Sequence, residues 1–245
     1  MADEIEIDAS DIYVIHDPRV VAAGRGAGWL IDGFAYFRKA PGQWFAVGIV
    51  GFVIMIGIGV IPVIGLIGGI LAPVWSAGLM LGCKDLHEGK ALQVRHLFAG
   101  FGDKVGPLIL SGLLVSCLSL AIVLLILGPL FFQVLISGDT EALANTDLLG
   151  LVLRILLILV LMIPVYAASW FLPALIVLGN IGVVEALKLS LSAGLRNIWP
   201  FLVYSLMTIA LMIPVVLTVG LGILVVGPVI FSSIFISFRE IFVEE

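Results

Sequence analysis

The sequence predicts an all-α, polytopic helical membrane protein with about six membrane helices in three hairpins. Three observations carry that expectation. First, 62 % of the 245 residues are hydrophobic, 12 % are charged and the mean hydropathy is +1.26, whereas about a quarter of a soluble domain is charged. Second, Trp44 to Cys83 runs forty residues without a charged side chain, well beyond the roughly 18 that mark a membrane span. Third, the same plan recurs at 105–179 and 198–238. Acyl chain is the expected solvent for most of the surface.

Residues 1–18 read as a mobile acidic tail on the cytoplasmic side. The alternation Glu4-Ile5-Glu6-Ile7-Asp8 would suit a short strand, but no partner strand is in sight. Asp3, Glu4, Glu6, Asp8 and Asp11 are the reverse of a signal-peptide n-region, so no cleavage is expected. Residues 19–239 form a single helical membrane domain, and 240–245 a short acidic tail. Val20 to Phe37 mixes glycines with Trp29, Leu30, Ile31, Phe34 and Phe37 and is followed by Arg38 and Lys39. Such a segment suits the headgroup layer, with the aromatics on the acyl boundary and the cations on anionic lipid. Gly24-Arg25-Gly26-Ala27-Gly28 lacks the preceding strand and the spacing of a dinucleotide fingerprint.

Hairpin one (44–83) enters over Trp44–Ile61, turns through a Gly/Pro-rich 57–69 and returns over Ile70–Cys83. Lys84 to Lys104 holds every charge between the first two hairpins. Hairpin two (105–179) has an outer loop, Ser137–Asp147, with Asp139, Glu141 and Asp147 and no cation. Its arms of about 32 residues would reach nearly 48 Å as straight helices, so they must tilt, kink or protrude from a hydrocarbon core of about 30 Å. Glu185–Arg196 precedes hairpin three (198–238). The tips of hairpins one and three are apolar apart from Thr218. Their backbone must either reach the far headgroups or be satisfied within the protein, so full spans and re-entrant hairpins both stay open.

The three units share landmarks. Each inward arm follows a Gly/aromatic segment: Gly33-Phe34 leading to Trp44, Leu97-Phe98-Ala99-Gly100-Phe101, and Leu191-Ser192-Ala193-Gly194-Leu195. Pro62, Pro129 and Pro214 stand near the turns, and Pro73, Pro173 and Pro228 early in the return arms. These landmarks read as an internal repeat, with an insertion at the outer end of hairpin two. Eleven of the 12 Lys and Arg fall outside the spans on one side, the exception being Arg154. Basic residues mark the cytoplasmic side, so both termini and both connecting segments are expected there.

Arg154 is the one ionisable side chain inside a span. It is a candidate anion or headgroup contact, or a cation that snorkels to the outer headgroups or Asp147. Ser111, Ser169, Thr208, Ser232 and Ser233 are candidates to line a pore or, more ordinarily, to let helices pack closely. Trp29, Arg38, Lys39, Trp44 and Trp199 are expected as interfacial lipid contacts. His87, Glu88 and His96 match no zinc spacing, and no nucleotide loop or nucleophile motif is present. No catalytic residue, cofactor or metal is expected, and no nucleic acid. The two cysteines, Cys83 and Cys117, do not form a disulfide framework.

Trp29-Leu30-Ile31-Asp32-Gly33-Phe34, Phe37-Arg38-Lys39-Ala40-Pro41, Gly78-Leu79-Met80-Leu81-Gly82-Cys83 and Leu97-Phe98-Ala99-Gly100-Phe101 resemble a family of bacterial inner-membrane proteins of unknown function. The resemblance implies a Gram-negative inner membrane and no particular activity. More faintly, the proline-hinged hairpins are similar to the sulfate permease of the cysteine-synthesis operon, although its soluble lobe and charged helices have no counterpart here. The expectation is a non-enzymatic accessory, scaffold or assembly partner of a larger membrane complex, with membrane lipid and other subunits or its own copies as partners. The alternatives are a passive channel or small-anion permease (transport), and lipid handling or bilayer sensing.

Overall fold

A computed structural model describes residues 13–59, 62–138 and 147–243. Among them are nine α-helices and one 3-10 helix: α1 (Arg25–Lys39), α2 (Pro41–Gly59), α3 (Pro62–His87), the 3-10 helix (Val94–Phe101), α4 (Val105–Ser137), α5 (Leu148–Trp170), α6 (Leu172–Val177), α7 (Val183–Arg196), α8 (Ile198–Leu217) and α9 (Ile223–Phe242). The chain is all-α, with one isolated bridge between Val14 and Val243 among the described residues. Four stretches are long and apolar enough to cross a bilayer: Val105–Gly128, Leu148–Val177, Ile198–Leu217 and Ile223–Phe242.

Local chemistry sets the boundaries. Pro41 opens α2, where its missing N–H costs nothing. Asp147 caps α5 by accepting from Gly150 N at 2.8 Å. The long arms of hairpin two are broken rather than straight. Gly128, at φ 42° and ψ −123°, interrupts α4 in a left-handed conformation that a side chain would resist. Phe171 separates α5 from α6. Asp139 and Glu141 of the outer loop lie outside the described residues.

The short connecting helices organise the packing. α1 buries Gly26, Trp29, Leu30, Gly33 and Phe37, an i, i+3/4, i+7 stripe on one face. That stripe meets protein: α1 is wedged between α8 and α9. A Cβ on Gly26 would overlap the Pro200 carbonyl oxygen and come within 2.8 Å of Tyr204 N, and one on Gly33 would lie 2.6 Å from Val229 O and 3.1 Å from Ser233 N. The 3-10 helix packs in the same way on α3, where Gly100 abuts the Val74 carbonyl and lies beside Gly78 N. α7 packs on α5: Ser190 Oγ donates to Ala167 O at 2.7 Å and accepts from Phe171 N at 3.1 Å, with Gly194 against Ala167. Each connector therefore lies on a hairpin other than the one it leads into.

This placement corrects two expectations. Trp29 and Trp44 are 0 % and 1 % exposed, so neither ring faces lipid. Trp29 is enclosed by Phe201 and Tyr204, and Trp44 stands beside Leu224 and Pro228 of α9. Trp199, by contrast, is exposed, as are Arg38 and Lys39.

Residues 1–12 of the expected acidic tail lie outside the described residues. The stretch after it is held. Ile15 N donates to Phe242 O at 2.8 Å, Arg19 N to Ile241 O at 3.0 Å, and Val21 N to Asn197 Oδ1 at 2.9 Å. Asn197, itself fully buried, returns a bond from Nδ2 to Arg19 O at 2.9 Å.

The apolar turn of hairpin three resolves its backbone problem internally. The amides of residues 218 to 224 all find acceptors within the turn and the flanking helix ends. Thr218 is central to this: its Oγ1 donates to Pro214 O at 2.7 Å and accepts from Gly222 N at 2.8 Å. Thr218→Val keeps the shape and leaves Gly222 N–H without that acceptor, at a cost of about 1–3 kcal/mol. Thermal denaturation in detergent should place Thr218→Val well below the parent and Thr218→Ser close to it.

Candidate functional site

Polar side chains gather where α1 meets the C-terminal end of α9. Arg25 Nε donates to Glu240 Oε1 at 2.8 Å and Nη2 to Oε2 at 2.9 Å, a two-point pairing that fits a planar guanidinium. Nη2 also reaches Asp32 Oδ2 at 3.1 Å, seven residues along the same helix face. The buried indole of Trp29 adds a third donor, Nε1 to Glu240 Oε2 at 2.7 Å. The hydrogen bond to Glu240 raises the Arg25 pKa, against the cost of burial and with a further contribution from Asp32.

A second cluster adjoins the first. His87 stacks on Tyr36, with ring centroids 6.3 Å apart and planes 6° from parallel. Tyr36 Oη lies 2.5 Å from His87 Nδ1, and Arg239 bonds His87 Nε2. Arg239 Nη1 also lies 3.0 Å from His87 Nδ1; a guanidinium can only donate, so the ring nitrogen that meets it accepts. Burial pushes the Tyr36 phenol up, partly offset by the Arg239 charge. Lys39 Nζ sits 4.4 Å above the Tyr36 ring, a cation–π contact.

Arg25, Asp32, Tyr36, Lys39, Arg239 and Glu240, joined by Arg19 but not by Trp29 or His87, line a cleft of about 510 Å³ with four cations (Arg19, Arg25, Lys39, Arg239) against two carboxylates (Asp32, Glu240). Its lining carries net positive charge, with one side fixed by the Arg25–Glu240 pair. Such a surface suits a phosphate-bearing or other oxyanionic ligand. The sequence flagged Lys39 here. It missed Arg25, Glu240, Tyr36, His87 and Arg239, because Glu240 lies 215 positions from Arg25 and was read as tail.

The other expected site residues do not join this cleft. Arg154 is exposed on α5, and Ser169 lies about 22 Å further along that helix axis. Ser111 is fully buried and its Oγ donates to Leu108 O at 2.6 Å. Ser233 Oγ meets Tyr204 Oη at 2.8 Å, and Ser232 beside it is fully buried. The Thr208 hydroxyl is buried on α8. Ser169 donates to Tyr166 O at 3.0 Å and borders a cavity of about 170 Å³ with Ser76, Trp170 and Phe231. These hydroxyls are dispersed among helix contacts. His96 is committed elsewhere: Gln93 N donates to its Nδ1 at 2.9 Å, so Nε2 carries the proton and faces Asp85 Oδ2 at 3.1 Å.

Comparison with models of protein families, with characterised proteins and with solved structures gives no match.

The Arg25 side chain is 39 % exposed, so its ion pair with Glu240 contributes little, up to about 1 kcal/mol. Losing Glu240 chiefly strands the Trp29 N–H in the core. Glu240→Ala should therefore cost about 2 kcal/mol, and in a Trp29→Phe background less than about 1 kcal/mol. Thermal or denaturant midpoints of the four proteins in detergent close this cycle.

Proposed function

We propose that the chain is a non-enzymatic, multi-pass protein of a bacterial inner membrane that holds phosphate-bearing headgroups in the cleft between α1 and α9. In this reading α2 and α3 complete six membrane helices in three hairpins. Both termini and all three connectors are cytoplasmic. The observation that carries it is the gathering of four cations around one cleft beside an amphipathic helix, the pattern by which a protein engages the anionic inner leaflet. The function is then lipid handling or bilayer sensing.

A second reading, an accessory or scaffold subunit of a larger membrane complex, draws on a different observation. The most apolar windows of α4, α5–α6 and α8 are each 11 % buried within the chain, against 44 % for α9. Those three faces are available to lipid or to neighbouring subunits. The parallels among connectors also support the internal repeat. Trp29, His96 and Ser190 each stand four residues before Gly33, Gly100 and Gly194, and all three are buried. Glu240 and Asp85, which receive the first two, each lie eleven residues beyond the carbonyl that their unit's glycine abuts, Val229 or Val74.

Topology is tested with single cysteines at Lys90 and Lys188 in a variant lacking Cys117, which is exposed. Neither should react with a membrane-impermeant thiol reagent in intact cells, and both should in inverted vesicles; periplasmic labelling at either position rules the topology out. Headgroup binding is tested on the full chain in neutral-lipid nanodiscs titrated with short-chain phosphatidylglycerol, phosphatidylcholine or inorganic phosphate. At about 1 kcal/mol per surface cation, the pair Arg19→Gln, Lys39→Gln should weaken phosphatidylglycerol binding roughly 30-fold. Equal affinity for the glycerol and choline lipids would end the reading. Inorganic phosphate binding as tightly as the lipid would make the ligand a soluble phosphate.

A further inference from the structure

The wedge that creates the basic cleft on one flank of α1 leaves a second, apolar cleft on the other. Because α1 holds α8 and α9 apart, with Gly26 at Pro200 and Tyr204 and Gly33 at Val229 and Ser233, the two arms of hairpin three diverge from their shared turn. The space between them, about 670 Å³, is floored by Ile31 and Phe34 and walled by Met207, Ala210, Pro214 and Val225. The polar side chain in its lining is Thr218, whose hydroxyl is already bonded within the turn. Water has no partners to gain there.

We infer that this cleft holds one acyl chain of an anionic phospholipid, with the headgroup phosphate at Arg38. Three features choose that occupant over a protein helix. The cleft is closed at its far end by the turn at Thr218 and Gly222, so a chain can end in it and a spanning helix cannot pass through. Met207 to Thr218 covers about 16 Å of α8, near the reach of one leaflet's chain, so with α1 at the cytosolic surface the tip of hairpin three stops near mid-bilayer, the re-entrant form of this hairpin. At its rim stands a cation: Arg38 lies 5.8 Å over the ring of Phe34, exposed and in the last turn of α1. The mouth continues into exposed apolar side chains such as Ile31 and Ile213. The inference rests on the membrane reading but uses none of the residues assigned to the basic cleft.

The test uses the purified full chain, delipidated in detergent and then offered phosphatidylglycerol or phosphatidylcholine. Native mass spectrometry counts retained lipid, and phosphatidylglycerol spin-labelled near the chain end reports immobilisation. The parent should retain one phosphatidylglycerol more than Ala210→Trp and give an immobilised spectrum that the variant lacks. The thermal midpoint of Ala210→Trp should be unchanged because Ala210 faces open space. Arg38→Gln should keep the chain and lose about 5-fold in preference for the anionic headgroup. Arg19→Gln with Lys39→Gln should leave chain occupancy unchanged, which separates this site from the basic cleft. Equal retention by Ala210→Trp and the parent would overturn the inference. So would a parent that retains no lipid, or a second copy of the chain cross-linking through residue 210.

Discussion

Backbone meeting backbone across glycine is the contact on which this architecture depends. Between helices in lipid there is no hydrophobic driving force, since an acyl chain is as apolar as leucine, and association falls to close packing and hydrogen bonds. Gly33 against Val229, Gly100 against Val74 and Gly26 against Pro200 bring main chains to distances that any Cβ would prevent. Each approach seats a connector on a hairpin, and each seated connector then fixes what lies beside it. With Gly33 filled, α1 could not enter between α8 and α9, and both clefts on its flanks would lose a wall.

The polar groups follow the same economy. Trp29 Nε1, on a fully buried ring, is met by Glu240, and Glu240 also neutralises Arg25. His96 of the 3-10 helix is met by Asp85 of α3. On α7, Ser190 bonds back to the Ala167 carbonyl with no carboxylate involved. A short hydroxyl needs only a carbonyl, whereas an indole or imidazole N–H reaching the helix end finds a carboxylate. The three connectors thus satisfy a buried polar side chain in three ways.

Much of the frame was legible from the chain alone. Charge-free runs located the long apolar helices, because nothing soluble tolerates them. Thr218, the one polar residue in an apolar tip, is the residue that satisfies the turn. Small hydroxyls such as Ser111 and Ser233 bond back to carbonyls of their own helix, the habit their size implies. What stayed hidden was partnership at long range. Trp29 and Trp44 were expected on lipid because tryptophan near an apolar boundary ordinarily is. Nothing local reveals that α8 and α9, more than 150 residues later, enclose one of them. For the same reason Glu240 looked like a tail and Arg25 like part of a flexible entry. Residues 13–21 read as tail or entry loop, although their backbone is bound to α9 and to Asn197.

The seating of α1 against α8 and α9 has a consequence for biosynthesis. About 200 residues separate α1 from Glu240, so at 5–20 residues per second the ribosome needs roughly 10 to 40 s to deliver the partner. For that interval the emerging helix carries Trp29, Leu30 and Phe37 on a bare face. In the proposed topology the nearest surface able to shield them is the cytosolic leaflet itself, where an amphipathic helix rests at modest cost. The nascent α1 would thus pass through the interfacial posture that its composition advertises, and leave it when the final hairpin arrives.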